Sequence, residues 1–168
     1  MLKGARKDKQ TVTADGASLR PLPAGVDVRE VRNIVTRNGL TTEVYRSDWP
    51  AAAAPVAQAL YVSLREGAIS AWHCHEAQLD RVFVVQGSVK LVLYDGREAS
   101  PTHGAVCELF LDRARPSLVT IPPGIWHGMQ NVGSGDCAFL NLFDRVCDHG
   151  NPDEWRLPPE NDVIPYRF

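Results

Sequence analysis

Three of the five histidines stand in two settings where ring nitrogens could act together. The first is Gly67-Ala-Ile-Ser-Ala-Trp-His73-Cys-His75-Glu-Ala-Gln-Leu-Asp80. His73 and His75 are two positions apart, so on a strand both imidazoles leave the same face. Asp80 follows after enough chain for a reversal, which lets its carboxylate face the two rings from a neighbouring strand. The second setting is Ile121-Pro122-Pro123-Gly124-Ile125-Trp126-His127, with Asn131 beyond it. A Pro-Pro-Gly turn exposes the residues just past it, and His127 is one of them. If the two settings pack together, three neutral imidazoles and one carboxylate converge. Such a nitrogen-rich set suits divalent Zn, Fe, Mn, Ni, Cu or Co and is a poor match for Mg or Ca.

The neighbours of these residues divide between pocket and packing. Trp126 can be aimed by the turn into a pocket mouth, whereas Trp72 is expected in the packing because His73 takes the opposite face. Asn131 reads as a structural residue that hydrogen-bonds a loop. His103 and His149 read as solvated loop and turn residues. Cys74, Cys107, Cys137 and Cys147 form no C-x-x-C pair, and are expected to be reduced thiols serving mostly as small core residues.

Extended segments must position this chemistry. Val28–Val31 and Thr41–Tyr45 are β-rich and separated by Asn38-Gly39, a hairpin signal. Leu60–Leu64, Arg81–Val85 and Ser88–Tyr94 follow, the last two joined by Gln86-Gly87, with Val89, Leu91 and Leu93 on one face. Val106–Leu111, Leu118–Ile121 and Cys137–Phe143 complete the set. Alanine-rich Pro50–Ala59 could hold a helical turn, limited by Pro50 and Pro55. Short strands between Gly and Pro turns, with no long helical pattern, indicate an all-β antiparallel sandwich or barrel.

The chain's 168 residues suit one domain, read as a polar arm over residues 1–24 and a β domain over 25–168, with an irregular proline-rich tail from Asn151. Eighteen Lys+Arg against 20 Asp+Glu leave a net charge of −2, which argues against nucleic acid as a partner. No apolar run approaches bilayer length, and the basic start leads into polar sequence with no signal-type core, so no membrane and a cytoplasmic location are expected.

The two histidine settings also resemble the cupin superfamily. Gly67, His73, His75 and Gly87 fall on its first motif, with Asp80 where Glu is usual; Pro122, Gly124, His127 and Asn131 fall on its second, with Pro116 in place of the leading Gly. The resemblance implies a double-stranded β-helix, or jelly roll, holding a metal through His73, His75, Asp80 and His127. A narrower likeness, through Asn38–Tyr45, Ser100-Pro-Thr-His-Gly104 and Ile121–Gly128, is to dTDP-4-dehydrorhamnose 3,5-epimerase. That branch works without metal, by proton abstraction beside a keto group, with an Asp-supported His as base and a Tyr as acid. By this likeness the base falls on His73 and a second histidine on His127. The branch's Arg falls on Ser70, its Lys on Asp80, its Tyr on Asn141 and its dyad Asp on Pro159. Asn cannot donate a proton at neutral pH and Pro cannot orient an imidazole, while Asp80 supplies a metal carboxylate.

The combined expectation is a metal-binding cupin on the epimerase scaffold, homodimeric by resemblance. It would isomerise or epimerise a keto sugar or similar small oxygenated substrate such as a nucleotide sugar, with Trp126 and Asn141 near the substrate and the cation as Lewis acid. The alternatives are an Fe(II) dioxygenase, a metal-free epimerase with His73 as base, and a non-catalytic small-molecule-binding cupin.

Overall fold

The computed structural model describes residues 1–49 and 54–168. Residues 50–53 of the expected Pro50–Ala59 helical turn lie outside the described residues, and Ala54–Ala57 lead without a helix into a strand. Two five-stranded antiparallel sheets face each other. One holds β1 (Asp27–Glu30), β9 (Ser117–Ile121), β6 (Asp80–Gln86), β11 (Cys137–Phe143) and β4 (Gln58–Leu64), in that spatial order. The other runs β12 (Trp155–Arg156), β5 (Ile69–Cys74), β10 (Ile125–Asn131), β7 (Ser88–Asp95), β8 (Val106–Asp112). No helix occurs among the described residues, and none is long and apolar enough to cross a membrane. The fold is the expected jelly roll.

Alternation along the strands decides which side chains enter the space between the sheets. On β6 Val82 and Val84 point inward with Asp80, on β11 Phe139 and Phe143 with Asn141, on β10 Ile125 and Met129 with His127. The same faces thus carry apolar core at one end and polar groups at the other. The outward parity is not left wet. Phe83, Leu118 and Leu142 are covered by Val44, Tyr45, Trp49 and Val56; Trp72 and Val92 are covered by Ile164, Tyr166 and Phe168 from the tail. Burial on both faces explains why Arg81–Val85 reads as a nearly continuous apolar run.

Two elements differ from the sequence reading. The Asn38-Gly39 hairpin forms between β2 (Asn33–Thr36) and β3 (Gly39–Thr42), while Val28 pairs with Val119 in the main sheet. β10 was hidden because Gly128 and Gln130 interrupt its apolar pattern. A Cβ at Gly128 would lie 2.5 Å from the Ala71 Cβ and 2.7 Å from the Phe168 ring, so close packing of β5, β10 and the tail excludes a side chain there.

The Ser100–Gly104 loop has its own polar anchor. Asp95, fully buried, accepts hydrogen bonds from Arg97 Nε at 2.9 Å, Ser100 Oγ at 2.5 Å and Thr102 Oγ1 at 2.6 Å. Arg97 and Thr102 in turn bind the backbone of Ala24, closing the end of the arm against this loop. Burial opposes ionisation of Asp95, but these donors outweigh it and hold its carboxyl below the usual range. Asp95→Asn is expected to cost about 3 kcal/mol in urea unfolding at pH 7. A depressed carboxyl stabilises above its unfolded pKa and ceases to do so as pH falls, so the deficit should narrow below about pH 4. A deficit independent of pH would show that the Asp95 charge is not what holds the loop.

Candidate active site

A cavity of about 610 Å³ opens between the sheets at the polar end. Its inner wall is apolar, with Leu60, Val62, Met129 and Phe139, and its mouth is bordered by Arg145, His149 and Arg156. Sheet register brings the two histidine settings together: His127 on β10 lies directly across from His73 on β5. The Pro122-Pro123-Gly124 turn is pinned as well, since the Gly124 N–H donates to the His75 carbonyl at 2.8 Å.

His75, Asp80 and His127 form one buried cluster, their ligand-type atoms all within 4.8 Å of one another. Asp80 Oδ2 sits 3.5 Å from His75 Nε2 and 3.4 Å from His127 Nε2. Both Nδ1 atoms are committed elsewhere: His127 Nδ1–H donates to the Ile125 carbonyl at 3.1 Å, and His75 Nδ1–H to the Asp153 carbonyl. Each Nε2 therefore faces the carboxylate as an N–H donor when its ring is protonated, and as a lone pair that a cation could share when it is neutral. Gln78 Nε2 donates to Asp80 Oδ1 at 2.7 Å and Asn141 Nδ2 to Oδ2 at 3.1 Å. Burial alone would raise the Asp80 carboxyl, but His127 and His75 drive it far below the usual range. For His75 burial lowers the pKa, and the Asp80 bond and charge more than reverse this, leaving it raised.

His73 stands beside this cluster with its nitrogens turned away from Asp80. Its ring stacks on that of His127 at 5.9 Å between centroids. Nδ1 meets Glu154 Oε1 at 2.7 Å and Nε2 meets Ser70 Oγ at 3.1 Å. With Nδ1–H donated to Glu154, the Nε2 lone pair is free to accept a proton, with the Ser70 hydroxyl as its resting donor. Burial lowers the His73 pKa more than Glu154 raises it, so the ring is neutral and competent as a base near neutral pH.

Of the residues singled out from the sequence, His73, His75, Asp80, His127 and Asn141 all line the cavity. Trp126 does not: on β10 it takes the parity opposite to His127 and packs with Tyr94 near Trp72. The turn is followed at once by a strand, so strand alternation decides its direction. Asn131 is structural as expected, its Nδ2 donating to the carbonyls of Leu64, Arg65 and Gly135. The four cysteines are free, and burial pushes the Cys74 thiol up to about 11. His149 is exposed and borders the mouth.

The carboxylate that orients His73 is not at position 159 but at Glu154. It lies 81 positions from its partner, in the stretch read as an irregular tail, where β12 pairs Arg156 with His73. No spacing pattern marks so distant a pairing; an acidic Asp153-Glu154 step inside a proline-rich tail was its only signal.

This arrangement has relatives. The family model for dTDP-4-dehydrorhamnose 3,5-epimerase matches residues 24–151. The Probable low-salt glycan biosynthesis epimerase Agl13 of Haloferax volcanii is 32% identical over 134 residues, covering 79% of this chain and 86% of its own. Spore coat polysaccharide biosynthesis protein SpsL of Bacillus subtilis is 29% identical over 144 residues, with 86% and 95% covered. A dTDP sugar isomerase from Desulfovibrio desulfuricans superposes with a TM-score of 0.80 at 28% identity, covering 86% of this chain and 90% of that one. NovW, a 4-keto-6-deoxy sugar epimerase from Streptomyces spheroides, does so at 0.74 and 26%, covering 83% and 73%. The matched segment includes both sheets' central strands, both histidine settings and the Asp95 loop, and by that match this chain belongs to the dTDP-4-dehydrorhamnose 3,5-epimerase family.

Proposed function

We propose that this protein epimerises a keto sugar carried on a nucleotide diphosphate, by moving a proton at the carbon next to the carbonyl. The observation that carries the reading is the His73–Glu154 pair, aimed into the cavity beside the buried His75–Asp80–His127 cluster. The family and the named activities of its relatives support the same class of substrate.

His73 Nε2 takes the proton from carbon, and Glu154 stabilises the resulting imidazolium through Nδ1–H. The electrons left behind move onto the carbonyl oxygen. His75 and His127 line the same water-poor part of the cavity, where a proton or a cation held at their Nε2 atoms beside Asp80 would stabilise that oxygen. Asn141 cannot give up a proton, so water admitted through the mouth supplies the one that completes inversion, and the hydroxide left behind is neutralised by the proton that His73 releases to solvent. Its Oδ1, buried without a partner, is an acceptor for a sugar hydroxyl. Arg145 and Arg156 at the mouth offer the charge that a diphosphate needs.

His75, Asp80 and His127 also fit a divalent transition-metal ion: two Nε2 lone pairs and a carboxylate oxygen converge, and both Nδ1–H groups are held by carbonyls as ligating histidines require. Such an ion, when bound, supplies Lewis-acid stabilisation of an enolate oxygen.

The test is incubation with a dTDP-linked 4-keto-6-deoxy sugar in deuterium oxide, followed by proton NMR. Deuterium should enter next to the carbonyl in proportion to enzyme. No incorporation above the protein-free control would sink the assignment. A parallel sample stripped by chelator should melt lower and exchange more slowly, with recovery on adding Co²⁺. Identical melting and exchange after verified stripping would assign the electrophilic role to the histidines alone.

A further inference from the structure

The short stretch from Pro152 to Arg156 crosses the cavity mouth and makes contacts that neither histidine motif contains. Asp153 is its fastening. One carboxylate accepts three consecutive backbone N–H groups: Glu76 at 2.8 Å, Ala77 at 2.9 Å and Gln78 at 2.8 Å. Its own carbonyl accepts His75 Nδ1–H, and the next residue, Glu154, holds His73 Nδ1. The pairing of this strap with β5 is otherwise short: Trp155 lies opposite Cys74 and Arg156 opposite His73, and the adjoining Leu157 exchanges two backbone hydrogen bonds with Trp72 at 2.8 and 3.2 Å. The family match ends at residue 151, one position before the strap begins.

We propose that Asp153 is a positioning residue, which locks the strap to the turn at residues 76–78 and thereby sets the orientation of both His75 and His73. The proposal rests on the reading of His73 as base and deepens it. Three successive N–H groups aimed at one carboxylate form an anion nest with a defined register. Because Asp153 and Glu154 are adjacent, any slip of the strap along β5 withdraws the acceptors of both rings at once. Two of the three N–H groups belong to exposed residues, Glu76 and Ala77, so water can replace the carboxylate there at little cost in stability. The effect of losing Asp153 therefore falls on ring orientation more than on folding.

Asp153→Ala and Asp153→Asn in the full chain test this by two readouts. In Asp153→Ala, ring-nitrogen NMR should show the His75 Nδ1–H signal shifted or lost to solvent exchange. The kcat for deuterium incorporation should fall about 10–100-fold with KM changed less than about twofold. Asp153→Asn keeps one acceptor oxygen for the same N–H groups and should recover part of both. Ring signals and kcat matching the wild type in Asp153→Ala would overturn the proposal. So would an unfolded Asp153→Ala with Asp153→Asn no better, since that marks a purely structural residue. If the wild-type chain exchanges no deuterium, the base assignment fails, while the ring signals still decide the role of Asp153.

Discussion

His73→Ala is expected to lower kcat for deuterium incorporation about 10³-fold while leaving the fold and the His75–Asp80–His127 cluster in place. The ring lies at the cavity wall with its side chain 16% exposed, one nitrogen against the Glu154 carboxylate and the other against the Ser70 hydroxyl. Its removal strands no buried charge, because Glu154 keeps its pairing with Arg156 at 2.9 Å. Glu154→Gln should cost less, about 10²-fold, since an amide oxygen can still hold Nδ1–H but carries no charge to stabilise the imidazolium. Co²⁺ titration separates this role from metal ligation. His73→Ala should retain Co²⁺ binding, whereas His75→Ala and His127→Ala should lose it. Loss of Co²⁺ binding in His73→Ala with exchange activity intact would place His73 among the ligands and remove it as base.

Asp80→Ala should be the most destabilising single change in the site, at about 3–4 kcal/mol in urea unfolding. Asp80 is 1% exposed and serves four polar neighbours, the imidazoles of His75 and His127 and the amides of Gln78 and Asn141. Truncation leaves the two amides with no acceptor and the two Nε2 atoms with no partner across a small gap. Asp80→Asn keeps the volume but removes the charge and leaves one acceptor oxygen for the Gln78 and Asn141 amides, so it should recover only part. Both variants should lose Co²⁺ binding. A cost below about 1 kcal/mol would mean that the two imidazoles are neutral and that Asp80 holds no positive centre between them.

How much of this is legible in the chain can be read from particular residues. β7 follows from its alternation and from the turn at Gly87, and β6 and β11 from short apolar runs, because local sterics and side-chain pattern act over neighbouring positions. β10 does not, since Gly128 is required by the tail and by Ala71, which approach from distant parts of the chain. His75, Asp80 and His127 are recognisable by type and spacing, and their convergence follows once the jelly roll is assumed. Trp126 is misjudged when the turn is considered without the strand after it.

His73 illustrates the division most sharply. Its presence in the pocket is a property of the sequence motif, but whether it serves a cation or a proton is decided by what stands beside each nitrogen. That decision is tertiary: Glu154 and Ser70 occupy its two nitrogens, and Glu154 arrives through a two-residue strand pairing. By itself the sequence determined the all-β architecture, the family and the residue types at the site, because periodicity and motif spacing are local physics. Only the folded structure decided the orientation of the imidazoles, because hydrogen-bond direction depends on partners that the chain supplies from some eighty residues away.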